Sequence, residues 1–245
     1  MAKTLNRRSI STFVEAHIGD FHIARLQGLS ALQLDRVLLR KNPYLPRAKN
    51  VLTAQELVQS LLDAHLSSQE ETMFGHFLEA LAVFVCGEVF GGRKSSAEGI
   101  DLEFETARER YIVSIKSGPN WGNSRQIAKM RDDFKKARRI IGREQSGKSI
   151  IAVNGCCYGR DRQPDKDDYF KYCGQSFWAL ISGDERLYVD IIEPLGHRAK
   201  ERNDDFMKAY AKIINTFTQR FIEQFCVGGA IDWEKLVRFN SGRTP

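Results

Sequence analysis

The sequence predicts an α/β fold, a short sheet flanked by helices, with a helical annex before it and a long helix after it. Three observations carry this. Apolar and polar residues alternate with a period of two in Ile100-Asp101-Leu102-Glu103-Phe104-Glu105 and in Tyr111-Ile112-Val113-Ser114-Ile115-Lys116. On either side, apolar residues recur at spacings of three and four. Gly87 with Gly91-Gly92 and, later, Gly228-Gly229 punctuate the changes of period. A length of 245 residues admits one large domain or a core with a satellite.

The first 66 residues read as helices. Ser30 is placed to cap a segment through Leu39, and Thr53-Ala54-Gln55-Glu56 has the capping-box pattern ahead of Leu57, Val58, Leu61 and Leu62. Between them Pro43 and Pro46 are expected to stop any helix. A second capping box, Ser68-Gln69-Glu70-Glu71, predicts the start of a helix that turns Met73, Phe77, Leu81 and Phe84 toward a core and leaves Glu79 off that stripe.

In the first strand, Asp101, Glu103 and Glu105 share one face; in the second, after the polar turn Ala107-Arg108-Glu109-Arg110, Ile112, Ser114 and Lys116 do. A hairpin pairing the two brings the acids beside Lys116. Next come a helix with Ile127, Met130, Phe134, Ala137 and Ile141 at helical spacing, a strand Ser149-Ile150-Ile151-Ala152-Val153, a polar loop over 159–174 and an apolar run over 177–181. A helix from about Asp204 steps through Phe206, Tyr210, Ile213, Phe217, Phe221 and Phe225 until Gly228-Gly229 ends it.

Thirty-seven Lys and Arg against thirty-one Asp and Glu leave a net charge of +6, which suits a polyanionic partner. Residues 123–143 alone hold eight basic residues against two acids, so the surplus is concentrated on one helix. The longest uninterrupted apolar run, residues 80–86, is far short of the roughly 18 residues of a bilayer span, and no secretory pattern follows the basic opening. No membrane association and a cytoplasmic location are therefore expected. Five cysteines without a CxxC pair read as free buried thiols rather than a disulfide framework or zinc site. Neither GxSxG nor GxxxxGK[ST] occurs, which leaves serine-hydrolase and P-loop chemistry unsupported.

The order helix, hairpin with acids then Ser-Ile-Lys, helix, strand resembles the PD-(D/E)XK nuclease superfamily and specifically its type II restriction endonucleases. The blocks Gly99-Ile100-Asp101-Leu102-Glu103-Phe104, Ile112-Val113-Ser114-Ile115-Lys116-Ser117-Gly118-Pro119-Asn120-Trp121-Gly122-Asn123 and Asn154-Gly155-Cys156-Cys157-Tyr158-Gly159 are similar to a branch that cuts interrupted GG/CC palindromes. The resemblance implies a restriction-endonuclease-like core over 67–245, a central mixed sheet flanked by helices and including the C-terminal helix. Residues 1–66 would then be an annex for DNA contact or dimerisation. It further implies Mg²⁺, double-stranded DNA and a homodimer with a companion methyltransferase.

Phosphodiester hydrolysis needs an oriented water and positive charge to absorb what develops on the phosphate. Asp101 is expected to hold the metal with the backbone carbonyl of Ile115, and Lys116 to orient the water. An Asp and a Lys across a hairpin also make a plain ion pair. The family pattern carries an acid where Ser114 stands, and a serine cannot supply that charge. Glu103, on the strand face of Asp101, and Glu79, on the preceding helix, are the candidates to replace it, ahead of Asp132 and Asp133; each also reads as an ordinary surface acid.

For DNA, Ser117, Asn120, Trp121 and Asn123 surround a glycine-rich helix start suited to a phosphate, although Trp121 fits a core plug equally. Lys129, Arg131, Lys135, Lys136, Arg138 and Arg139 are expected to meet phosphates. Base reading falls to Arg40, Lys41, Asn42, Arg47, Lys49 and Asn50 and to Arg160, Arg162 and Gln163; a basic surface loop is the competing reading of the first group. Two other functions stay open: a structure-specific or repair nuclease of the same fold, and a DNA-binding protein that has lost cleavage.

Overall fold

The computed structural model describes residues 3–141 and 147–243. It divides into two compact units, 1–18 with 74–197 and 19–73 with 198–245. The boundary expected at 66/67 therefore falls inside a helix, and the C-terminal helix groups with the annex rather than with the sheet.

The first unit holds the sheet. Its strands are β1 (Leu102–Glu105), β2 (Glu109–Lys116), β3 (Ser149–Cys156) and β4 (Phe170–Cys173), in the order β1-β2-β3-β4. β1 pairs antiparallel with β2, whereas β2–β3 and β3–β4 are parallel. This is the expected mixed sheet. The hairpin turn is tighter than its polar run suggested, since Glu109 and Arg110 already belong to β2 and the Thr106 hydroxyl accepts from the Glu109 amide. β4 is a correction: it lies inside the stretch expected to be polar loop.

Helix α5 (Ser124–Ile141) lies against one sheet face, where Met130, Phe134, Ala137 and Ile141 pack on Ile100, Ile112, Ala152 and Tyr169. Its apolar stripe is the predicted one from Met130 onward, whereas Ile127 is only half-buried and outside the cluster; residues 142–143, counted in its charge, lie outside the described residues. α6 (Gln175–Ser182) buries Phe177, Trp178 and Ile181, and the Trp178 indole donates to the Cys157 carbonyl at 2.8 Å. Short helices α7 (Leu187–Asp190) and α8 (Ile192–Leu195) follow.

The second unit is helical. It contains the C-terminal part of α1 (Arg7–Ser30), α2 (Leu34–Arg40), α3 (Tyr44–Ala48), the first half of α4 (Ala54–Phe90), α9 (Ala199–Phe225) and α10 (Trp233–Ser241). Leu34, Val37, Leu57, Val58 and Leu62 pack with Phe217, Phe221, Phe225 and Leu236. Four local expectations are corrected here. Ser30 ends α1 rather than capping α2, its hydroxyl donating back to the Leu26 carbonyl. Pro46 does not stop a helix: it is the third residue of α3, in a first turn that needs no amide from it. Ser68-Gln69-Glu70-Glu71 starts nothing, because α4 runs unbroken through it. After α9, Gly228-Gly229 turns a small hairpin, β5 (Cys226–Val227) and β6 (Ala230–Ile231), and the chain resumes as α10, capped by Asp232 on the Lys235 amide. Thr53, in contrast, caps α4 as expected, accepting from the Glu56 amide at 3.2 Å.

As a 37-residue helix, α4 is long and apolar enough by length and composition alone to cross a bilayer, which uninterrupted apolar runs did not reveal. Part of that stretch is interior: Leu81, Ala82, Val85 and Cys86 are fully enclosed. A core helix passes the same compositional test.

Candidate active site

Antiparallel register places Leu102 opposite Val113, and the Asp101 amide extends the ladder by donating to the Val113 carbonyl at 2.9 Å. That puts Asp101 across from Ser114 at the open end of the hairpin. Its carboxylate accepts the Ile115 amide at 2.6 Å and lies 3.7 Å from the Lys116 ammonium, which also donates to the Ile115 carbonyl at 2.8 Å. Asp101, Ile115 and Lys116 are thus brought together, with both charged side chains partly open to solvent, while Ser114 is buried beneath them.

The approach to this strand end is fixed by Gly99, whose φ of +76° is left-handed and whose missing Cβ would collide with the buried Asp133 carboxylate. Asp133 in turn binds Lys129. Its carboxylate fills the space that a Cβ on Gly99 would need, and Asp132 pairs with Lys136 on the exposed side of α5.

The two candidates for the missing acid are placed differently. Glu103 is buried and engaged at both oxygens, one by Arg110 at 3.0 Å and the other by the Ser95 hydroxyl. The Glu103–Arg110 pair, with Arg93 and Glu105, lines a polar hollow toward the turn of the hairpin. Glu103 is therefore not gathered with Asp101. Glu79 is half-buried on α4, pairs loosely with the exposed Lys94 at 3.6 Å, and lies near enough to Cys157 to add to the burial that pushes this thiol up to about 12. Cys157 continues β3 beside β2, its amide donating to the Lys116 carbonyl.

Among the described residues no group of three or more His, Cys, Asp or Glu could hold a metal. The oxygens present, the Asp101 carboxylate and the Ile115 carbonyl, both face one cation, the Lys116 ammonium. Such hard oxygen donors fit Mg²⁺, which keeps several waters and uses one or two carboxylates plus substrate phosphates.

Residues beyond those expected to carry the catalysis frame this centre. Asn154 is buried, donates to the Ser114 carbonyl at 3.2 Å and accepts from the Trp121 indole at 3.0 Å. Gly118 lies under the Tyr158 ring, which leaves no room for a Cβ. Lys171, on β4, donates to the Pro119 carbonyl at 2.8 Å and approaches Asp161 at 3.7 Å. Asn154, Gly118 and Tyr158 stand in the blocks that carry the family resemblance, whereas Lys171 has no signal in the sequence.

The expected DNA-contact residues divide. Trp121 packs against the α5 core cluster, so it does act as a plug. Asn123 and Gln126 form a reciprocal cap, Asn123 accepting from the Gln126 amide and Gln126 from the Asn123 amide, which occupies part of the expected phosphate seat. Ser117 is half-buried and Asn120 exposed. On α5, Lys129 is held by Glu98 and Asp133, Lys136 by Asp132 and Arg131 by Asp168, while Arg138 donates to the Asp168 carbonyl. The Glu98 hydrogen bond raises Lys129 above an ordinary lysine, and the Asp168 bond raises Arg131 in the same way. Lys135 and Arg139 are exposed and act on Asp132 only at a distance. Arg160 is exposed and Arg162 likewise, on a loop tied down by Asp161, which accepts from the Gln163 amide and from Lys166. In the second unit Arg40, Asn42, Arg47, Lys49 and Asn50 are exposed and Lys41 half-buried, with Asn50 left-handed at φ 57°.

A mixed four-stranded sheet between helices, with an Asp and a Lys meeting across its antiparallel hairpin, defines a restriction-endonuclease-like nuclease. The model of the type II restriction endonuclease EcoO109I family matches residues 8–203, and the chain belongs to that family. No curated protein matches the chain.

Proposed function

We propose that the protein is a Mg²⁺-dependent, site-specific double-stranded DNA endonuclease of a cytoplasmic restriction-modification system, cutting an interrupted GG/CC palindrome as a homodimer. The observation that carries this is the triple contact of Asp101, Ile115 and Lys116 at the open end of the hairpin. The Asp101 carboxylate and the Ile115 carbonyl would hold the metal, with Glu79 supplying the acid that Ser114 lacks. When bound, Mg²⁺ supplies Lewis-acid charge stabilisation at the phosphate and acidifies a bound water. Lys116 orients the attacking water and offsets negative charge as the P–O bond forms on one side and the bond to the leaving oxygen breaks on the other. The Ile115 amide holds the Asp101 carboxylate in one orientation. Two-fold symmetry of a palindrome matches two subunits, each reading a half-site.

Residues 1–66 would serve DNA contact or dimerisation, with Arg40, Asn42, Arg47, Lys49 and Asn50 reading bases alongside Arg160 and Arg162. Incubating the protein with plasmid and Mg²⁺ tests the reading: discrete fragments with uniform ends support it, whereas random nicking identifies a structure-specific nuclease and a gel shift without cuts a binding protein. Sequencing the fragment ends gives the site.

A further inference from the structure

We infer that Asn154 and Trp121 position Lys116 for cleavage, the indole seating the ammonium and the Asn154 carboxamide holding the indole in place. This rests on the nuclease reading above.

Parallel register sets Asn154 of β3 beside Ser114 of β2, on the sheet face that carries Ile112 and Ala152. Asn154 is 1% exposed, and both ends of its amide are used. The indole can only donate and a carbonyl can only accept, so the orientation of the amide is determined by its partners. A buried amide bonded at both ends is rigid, and freeing either end leaves a polar atom unsatisfied. What it holds is Trp121, whose ring centroid lies 5.3 Å from the Lys116 ammonium, within cation–π range.

The need for such a seat follows from Ser114. Lysine is a flexible side chain with a point charge, and the residue two positions earlier brings no negative charge to hold it. Among the described residues its partners are Asp101, the Ile115 carbonyl and the indole face. The first two are the oxygens expected to take the metal, which leaves the indole as the partner that stays when they are occupied. Trp121 comes from the loop after β2 and packs against the α5 core cluster, and its bond to Asn154 sets how the ring is turned toward Lys116. Asn154 thus acts through Trp121 and is a positioning residue.

Three substitutions separate this from a merely structural role. Trp121→Phe keeps a ring but removes the N–H, Trp121→Leu removes the ring, and Asn154→Leu removes the holder. If Asn154→Leu fails to fold, Trp121→Phe breaks the same hydrogen bond from the other side. Single-turnover cleavage at saturating duplex, carrying the sequence read from wild-type cut ends, is compared with the metal-free dissociation constant and the melting temperature. At temperatures where each variant is folded, the cleavage rate should fall about tenfold for Trp121→Phe and about 100-fold for Trp121→Leu, as expected for a displaced catalytic group. Affinity should stay within about twofold, since phosphate and base contacts lie elsewhere. Unchanged rates in folded Trp121 variants overturn the inference, as does a loss of affinity matching the loss of rate, which would make Trp121 a DNA contact. A folded wild-type protein that cuts nothing, or a Lys116→Ala variant that cuts normally, defeats instead the nuclease reading beneath it.

Discussion

The Asp101 carboxylate accepts the amide proton of Ile115 at 2.6 Å, a bond between residues 14 apart in sequence that ties the approach to β1 onto β2. The bond takes up one carboxylate lone pair, and Lys116, 3.7 Å from the same carboxylate, donates to the Ile115 carbonyl. The same bond fixes hairpin register and side-chain aim, so the candidate centre is built into the ladder.

Glu103 and Glu79 are expected to behave in opposite ways. Glu103→Ala breaks an ion pair whose side chains are 10% and 9% exposed, and removal of one partner from such a buried pair costs about 3 kcal/mol. Glu105, 3.6 Å from Arg110, recovers part of that. The melting temperature should therefore fall by several degrees while cutting persists in the cold. Glu79→Ala should leave stability nearly unchanged, since its partner Lys94 is exposed, but weaken Ca²⁺ or Mg²⁺ binding to the DNA complex measured by calorimetry. A stable Glu103→Ala protein with no metal affinity would reverse the assignment.

The hairpin and the basic helix were legible because period-two and period-3.6 patterns follow directly from which face is buried. What escaped was decided by tertiary packing. Glu103 alternates like Asp101, and nothing in the alternation says that Arg110 and Ser95 claim its oxygens. Ser68-Gln69-Glu70-Glu71 has a cap pattern, but buried neighbours on the same helix, Leu66 and Phe77, outweigh a local preference for starting a new one. β4 is four residues in a polar stretch and exists because β3 offers it an edge. The C-terminal helix pattern was clear, yet periodicity does not state which unit receives its aromatic stripe.

Only part of the charge on α5 should be available to DNA. Neutralising Lys135 and Arg139 should lower the slope of log affinity against log salt by about 0.9 for each phosphate they neutralise in the wild-type complex. Neutralising Lys129 or Lys136, already paired with acids, should change it less. Filter binding across a salt series measures both; equal slopes for the two pairs would mean that the internal ion pairs open on DNA.

Asp161 ties the Arg160–Arg162 loop to Lys166 and, through Lys171, to the Pro119 carbonyl in the loop after β2. Burial raises its carboxyl, but the Gln163 amide and the two lysines outweigh this and hold it below the usual carboxylate range. A depressed folded value stabilises the loop fully above the unfolded pKa of about 3.9, and that contribution disappears as pH falls through the folded value. Trypsin cleavage after Arg160 and Arg162 should thus be slow and pH-independent near neutrality. Asp161→Ala should be nicked there quickly at the same pH and cut altered sites more readily. Unchanged nicking would show that the loop is held by something else.

Thiol chemistry offers an independent check of the core. Cys86 and Cys157 are pushed up to about 12 by burial, Cys156 and Cys173 are also buried and raised, and Cys226 is the more accessible thiol. A thiol reagent at about pH 8 should modify Cys226 first and the other four only on unfolding, because the thiolate is the reactive form. Rapid modification of Cys156 or Cys157 in the native protein would contradict the packing of β3.

The most direct test of the proposed centre is to compare Asp101→Asn and Lys116→Ala with the wild-type protein for plasmid cleavage with Mg²⁺ and for duplex binding without it. Both variants should bind DNA within about threefold of wild type, because positioning contacts lie elsewhere, and neither should cut. Cleavage near the wild-type rate by either variant would remove the Asp101–Lys116 pair from the catalytic centre.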